Sequence, residues 1–314
     1  MLRSTAKRAM HRLGIIHGVR ALNRRGCRIL VYHRFGENHS LLAKQCEHIR
    51  RYYQPVSMRL VAQSLGTRSA LPDCALAVTV DDGYRDFLLH GQPVFSQYEI
   101  PVTVYVVTGF LDGELWPWWD QLTYMFRRTQ RTAISFAGMD VLITGDLLRI
   151  IDGVAKVLKR LPSPERVAAI EELRRKLGVE LPNRAPSEYE PLSWGEVRRL
   201  SAMGVEFGCH TRTHPILSRV LDEAELREEI AGSKKRLDEQ LGFPSLHFAY
   251  PNGTRADYDE RSVAAVKQCR FASAVTVERV LNYEDADPFR LSRLDADPSL
   301  PVTRFVETLA GVRM

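Results

Sequence analysis

The chain has 314 residues, 45% hydrophobic and 26% charged, with a formal net charge of +6. That length suits one decorated α/β domain with a full-sized core, and the composition excludes a disordered or fibrous chain. No run approaches the ~20 apolar residues of a membrane-spanning helix, and no apolar core with a small-residue cleavage site marks a secretory signal, so a cytoplasmic place, or a peripheral one on the inner membrane face, is expected.

Residues 1–28 hold eight basic side chains and no acid, which leaves the rest of the chain slightly acidic. Met10, Leu13, Ile16, Val19 and Leu22 recur about every third residue, the stripe of an amphipathic helix. Residues 1–27 therefore read as a basic amphipathic arm. It either caps one end of the domain or rests on an anionic bilayer. Aromatic and basic residues do not interleave there, so no nucleic-acid partner is expected.

Residues 28–33 read as the first strand. Helical patterns follow at 41–52 and 58–65, then a strand at 75–80, a helix at 86–98 and a β-branched strand at 101–108. Residues 112–190 break this rhythm. They hold the cluster Trp116, Trp118 and Trp119, then helical stretches at 147–161 and 164–177, and read as a mainly helical insertion. The tryptophans serve packing or stack on sugar rings. Ser193 and Glu196 form a capping box that opens a helix through Met203. Residues 205–209 are a short strand. Asp222 opens a helix with the stripe Leu226, Ile230, Leu237 and Leu241, which Gly242 and Pro244 stop. Strand-like residues 246–250 and two later units, 257–269 and 271–277, complete an alternation that implies a mostly parallel sheet. The five cysteines (27, 46, 74, 209 and 269) are odd in number and lack CxxC spacing, which fits reduced thiols; Cys209 reads as a buried apolar residue.

The chemistry gathers at strand ends. Asp81-Asp82-Gly83 follows the apolar run 75–80. His210-Thr-Arg-Thr-His214 follows the strand at 205–209. The turn Pro251-Asn252-Gly253 follows 246–250. One carboxylate and two histidines can hold a Zn²⁺-like ion and leave a position open for water and substrate. The other carboxylate is then free to accept a proton.

At these residues the chain resembles the polysaccharide deacetylases, the NodB-homology group of carbohydrate esterase family 4. Val78-Thr-Val-Asp81-Asp82-Gly83 is similar to the family's TFDDG motif and His210–His214 to its H-[ST]-x-x-H motif. Phe248-Ala-Tyr-Pro-Asn-Gly253 is similar to the FAYPxG variant of its third. Val31-Tyr-His-Arg34, Trp118-Trp-Asp120 and Pro288-Phe-Arg-Leu-Ser-Arg293 agree with one branch, so the resemblance spans about 28–300. It implies a distorted (β/α)7 barrel over 28–314 and hydrolysis of N-acetyl groups from an amino-sugar glycan, a carbon–nitrogen bond other than a peptide bond. It also implies a divalent metal held by Asp82, His210 and His214: Zn²⁺, with Co²⁺, Ni²⁺ or Mn²⁺ as alternatives. Asp81 would be the general base, and the backbone N–H near Asn252 would hold the oxyanion. Candidate substrate contacts are Tyr250, Pro251, Trp118, Trp119 and Arg293.

Two positions depart from the family pattern. Ala249 stands where an arginine orients the base. Arg293 stands where a histidine serves as general acid, and arginine is a poor proton donor. His33, at the end of the first strand, is the substitute acid or a partner of Asp81. The alternative activities are deacylation of a small or lipid-linked amino sugar, O-acetyl ester hydrolysis, or glycan binding by a degenerate site.

Overall fold

The computed structural model describes residues 15–310. The arm's Met10 and Leu13 lie outside them. Ten strands are present: β1 (Arg28–Tyr32), β2 (Gln54–Pro55), β3 (Ala75–Val80), β4 (Val102–Val106), β5 (Ala133–Phe136), β6 (Met139–Leu142), β7 (Glu206–Cys209), β8 (His247–Ala249), β9 (Ser273–Val275) and β10 (Leu294–Asp295). Seven form one curled sheet in the order β10-β1-β3-β4-β7-β8-β9, with β2 beside β3. Every pairing in it is parallel. β3 and β4 are buried along their whole length, because helices cover one face and the barrel interior the other.

The two edges of the sheet are joined by one short segment. Leu291 forms a parallel bridge with Val275. Its N–H donates to Ala274 O (2.9 Å), and its carbonyl accepts from Thr276 N (2.7 Å). Three residues later β10 pairs with β1, Leu294 against Leu30. Residues 291–295 thus run from β9 to β1, and the sheet is a seven-stranded (β/α) barrel as the motifs imply.

The insertion has a core of its own, built on Leu122, Phe126, Phe136, Val154 and Leu173. Helices Trp118–Arg128, Leu147–Leu158 and Ser163–Leu177 match the expected helical content. The β5–β6 hairpin lies beside them, in a stretch to which the sequence reading assigned no element. Ala137 and Gly138 both have positive φ (50° and 73°) at its turn, a geometry that Asn-Gly usually signals. Ala-Gly carries no such signal.

Two helices contain π turns. One is Phe87–Gly91, within the stretch read as a single helix, and the other is Glu228–Gly232, within the stripe opened by Asp222. A π turn inserts a residue and rotates the face that follows. The second contains Glu229, 7% exposed, beside fully buried Ile230.

The described part of the arm, helix Ile15–Leu22, is tied to the body by its basic residues. The Arg20 guanidinium lies 4.5 Å from the Tyr52 ring, and Arg24 pairs with Asp73. Arg28 is fully buried and donates through Nε to Leu309 O at 2.8 Å. Leu22 remains 86% exposed. No helix among the described residues is long and apolar enough to cross a membrane.

Gly208 in β7 sets the approach of the strand that ends at His210. A Cβ there would lie 2.6 Å from the Tyr105 ring and 2.7 Å from His247 O. Gly208→Ala should cost about 1–3 kcal/mol, the usual scale of overpacking. Denaturant unfolding with an unchanged midpoint would show that β7 has room to move.

Candidate metal centre and catalytic face

The polar residues collect where β1, β3, β7 and β8 end. Asp81 continues the ladder past β3, its N–H donating to Tyr32 O at 2.9 Å. The chain then turns, with Asp82 at φ 73° and Gly83 at φ 85°. Gly83 faces Val106 and Leu111, which would sit 3.0 and 3.1 Å from an added Cβ; only glycine fits both the angle and the space. Past β7, His210 N–H donates to Val106 O at 2.9 Å. His214 N–H donates to Thr211 Oγ1 at 2.9 Å, which closes the loop.

Glu229 fastens this loop from below. Its carboxylate accepts from Arg212 N–H (2.9 Å), Thr213 N–H (2.8 Å) and the Thr213 hydroxyl (2.6 Å). The sequence pattern does not single out Glu229, because a charged residue at the flank of an apolar stripe carries no mark of its partner.

Asp82, His210 and His214 converge, with one donor atom from each lying within 4.8 Å of the others. Asp82 Oδ1 is 3.7 Å from both His210 Nε2 and His214 Nε2. The two Nε2 atoms are 3.2 Å apart. His210 Nδ1 donates to Ala249 O at 2.7 Å, so its Nε2 presents a lone pair to the cluster. His214 Nδ1 is buried and has no hydrogen-bond partner among the described residues.

The electrostatics fit a cation. Burial, with Asp81 and Asp120 nearby, pushes the Asp82 carboxyl well above the usual range. Burial lowers His210 to about 4, and burial plus the His210 charge takes His214 well below its ordinary value. The imidazoles are therefore neutral at neutral pH, the form that ligates. A divalent ion would offset the repulsion among carboxylates that burial otherwise makes costly. Cys209 is not part of this set; burial pushes its thiol up to about 12.

Asp81 has a different partner. Arg293 Nη1 donates to Asp81 Oδ1 at 2.6 Å and Nη2 to Oδ2 at 2.7 Å. Nη1 also reaches Thr79 Oγ1 (3.1 Å), and Nε reaches Thr276 O (3.0 Å). Burial opposes ionisation of Asp81, but Arg293 outweighs it and holds the carboxyl well below its usual range. Arg293, expected among the substrate contacts, is itself fully buried and lies behind Asp81. The arginine that the motif pattern places at 249 comes instead from 293, while Ala249 packs in the barrel interior with Tyr105 and Leu291.

His33 Nε2 lies 4.0 Å from Asp81 Oδ2, with half of its side chain open to water. Its dense surroundings lower its pKa, and Asp81 partly offsets this. Asn252 adopts φ 57° in the turn after β8. Tyr250 is buried, donates its hydroxyl to Phe289 O at 3.1 Å and stacks on Tyr258 at 4.4 Å. Pro251 is buried too. These two residues shape the turn from beneath. Trp119 packs 4.5 Å from the His214 ring and donates Nε1–H to Tyr84 OH at 2.9 Å. Tyr84 donates in turn to Asp120 Oδ2 at 2.6 Å, and burial raises Asp120 to about 6. Trp118, half-buried, sits 5.8 Å from Trp119.

Residues 154–274 match the polysaccharide deacetylase family model, a stretch that includes His210, His214 and the turn at Asn252 but not Asp81 or Asp82. Three solved structures share the fold. The deacetylase PplD of Streptococcus pyogenes, in complex with acetate, is 16% identical over 90% of this chain and 98% of that one, with a TM-score of 0.60. IcaB from Ammonifex degensii is 18% identical over 92% and 98%, with a TM-score of 0.59. A de-N-acetylase from Aggregatibacter actinomycetemcomitans is 15% identical over 87% and 96%, with a TM-score of 0.57. At these identities the likeness is one of fold. No curated protein matches the chain.

The buried imidazoles set a pH dependence for the metal-free protein. A histidine with a depressed folded pKa stabilises fully above its unfolded value, roughly 6.5, and loses that contribution as pH falls through the folded value. For His210 the window runs from 6.5 down to about 4. Asp81 acts in the same direction at lower pH, and Asp82, raised, acts in the opposite one. His210→Gln should flatten the acid-side fall in unfolding free energy by up to one proton, about 1.4 kcal/mol per pH unit. Parallel stability–pH curves for variant and wild type would show that His210 titrates normally.

Proposed function

We propose, from the polysaccharide deacetylase family match over residues 154–274 and the shared fold, that the chain is a metal-dependent hydrolase removing N-acetyl groups from an amino-sugar glycan. The observation that carries this reading is the division of labour between adjacent carboxylates. Asp82 faces His210 and His214, whereas Asp81 is gripped by Arg293. A glycan-binding protein with a degenerate site has no use for a carboxylate held ionised beside an open donor cluster.

In this mechanism Asp81 takes a proton from the attacking water. Arg293 keeps it deprotonated and aimed, at a cost in basicity, so the water must already be acidified. Asp82, His210 and His214 would hold a divalent cation, best matched by Zn²⁺, which when bound would supply that acidification and Lewis-acid polarisation of the amide. The Asn252 N–H, which has no protein acceptor among the described residues, donates to the developing oxyanion. The leaving nitrogen must gain a proton. His33 faces Asp81 and the solvent-open mouth, so the proton taken from water returns through His33 to the amine. Its lowered pKa suits relay better than standing acid.

Acetate release from N-acetylglucosamine oligomers should disappear with chelator. Asp81→Asn should lower turnover by at least about 10²–10⁴, the usual worth of a positioned base, and retain metal. His210→Ala and His214→Ala should lose the metal. Equal metal loss in Asp81→Asn and Asp82→Asn would reverse the two roles. His33→Gln should slow amide hydrolysis more than hydrolysis of an O-acetyl ester, because an alkoxide leaves more readily than an amine anion. A larger effect on the ester would remove His33 from the relay.

A further inference from the structure

The two imidazoles of the donor cluster are held by different means. His210 is fixed by the bond from its Nδ1 to Ala249 O at 2.7 Å. His214 Nδ1 is buried and has no such partner among the described residues. A histidine ligand usually donates its second ring N–H to a fixed acceptor, and that bond sets the ring orientation. At His214 ring contacts take its place: the His210 ring lies 4.6 Å away and the Trp119 ring 4.5 Å away.

Trp119 is anchored in turn. An indole N–H only donates, so the 2.9 Å contact with Tyr84 makes the phenol oxygen the acceptor. The single phenol proton is then directed to Asp120 Oδ2 at 2.6 Å. Tyr84 and Asp120 are 2% and 5% exposed, so water does not compete for these bonds. Arg34, next to His33, braces the chain from the end of β1. Its guanidinium lies 4.1 Å from the Tyr84 ring, and its Nη1 is 3.8 Å from Asp120 Oδ1. Trp119 and Asp120 sit in the first turn of helix Trp118–Arg128. The same helix places Leu122 and Phe126 in the insertion's own core. A chain of direct contacts therefore runs from the insertion to a member of the donor cluster.

We propose that Asp120, Tyr84 and Trp119 are positioning residues of the metal centre: through them the insertion sets the orientation of the His214 imidazole, the task that Ala249 O performs for His210. The insertion is then part of the ligand shell's support and not a decoration of the barrel. The consequence for metal affinity rests on the metal-dependent deacetylase reading; the positioning of His214 does not.

The test uses the full chain, stripped of metal and titrated with Co²⁺ at pH 8 against a competing chelator. Loss of such a supporting contact typically weakens metal binding by about 10–100-fold. Trp119→Leu should raise the Co²⁺ Kd at least about ten-fold and alter the visible spectrum of the bound ion, and Tyr84→Phe should act in the same direction. In the Trp119→Leu background Tyr84→Phe should have no further effect, because the phenol acts through the indole. A Co²⁺ Kd that both single variants leave unaltered overturns the proposal. So do effects that multiply in the double variant, which would mean that Tyr84 acts on the cluster by another route. A raised KM with unaltered Co²⁺ affinity in Trp119→Leu would make Trp119 a sugar platform instead. Tyr84→Phe leaves both rings in place and decides the matter if Trp119→Leu does not fold. Imidazole ¹H–¹⁵N spectra of the metal-free proteins give a second readout: the His214 signals should shift or broaden in both single variants. Absence of Co²⁺ binding by wild type would count against the metal-dependent reading, while unmoved His214 signals would overturn the positioning role itself.

Discussion

The buried pair Asp81–Arg293 is the constraint on which the barrel and the site both depend. It joins the end of β3 to the segment that closes the sheet between β9 and β1. A buried ion pair is weak evidence of added stability, since desolvation of both partners offsets the attraction. Its value here is positional. Both carboxylate oxygens are engaged, at 2.6 and 2.7 Å, so Asp81 has one orientation and one charge state. Thr79 and Thr276 occupy other guanidinium hydrogens, which fixes the arginine in turn. The chemistry of the base and the closure of the fold are therefore the same set of contacts.

That arrangement explains the two departures from the motif pattern together. Ala249 stands in the third motif where the pattern has an arginine, and Arg293 stands where the pattern has a histidine. Taken singly, each weakens the mechanism. In space they are one exchange: a guanidinium enters from residue 293 where residue 249 is small, and the orienting function is kept. This exchange leaves the pattern's proton donor without a counterpart at 293, and the proposed relay through His33, 4.0 Å from Asp81, would supply one.

Sequence made the strands, their order of motifs and the donor set legible, because each depends on residues near one another in the chain. Asp81, Asp82, His210 and His214 all sit at ends of strands that hydrophobic runs reveal. What stayed hidden are partners chosen across the fold. Arg293 reaches Asp81 over 212 positions, and Glu229, within a π turn, bonds the His210–His214 loop 16 or 17 positions away. Tyr84 and Asp120 meet because the insertion helix packs on the barrel mouth. Tyr250, Pro251 and Arg293 read as substrate contacts because motif residues cluster around a site; burial separates the residues that shape it from those that face solvent.

The donor cluster also concentrates backbone strain. Asp82, Thr211, His214 and Asn252 all have positive φ. Asp and Asn tolerate this region, but a β-branched residue such as Thr211 does so at a cost of about 1–3 kcal/mol. Such a conformation persists only where the surroundings over-determine it. Here they do: Thr211 Oγ1 holds the His214 N–H, Thr211 O holds the Thr108 N–H, and Glu229 holds the two residues between. The imidazoles are thus brought edge to face, 4.6 Å apart, by protein contacts alone, with the cost of their desolvation already present. A cation arriving there meets ligands that need little rearrangement. The free energy that the fold spends on holding the cluster would be returned as affinity for such an ion.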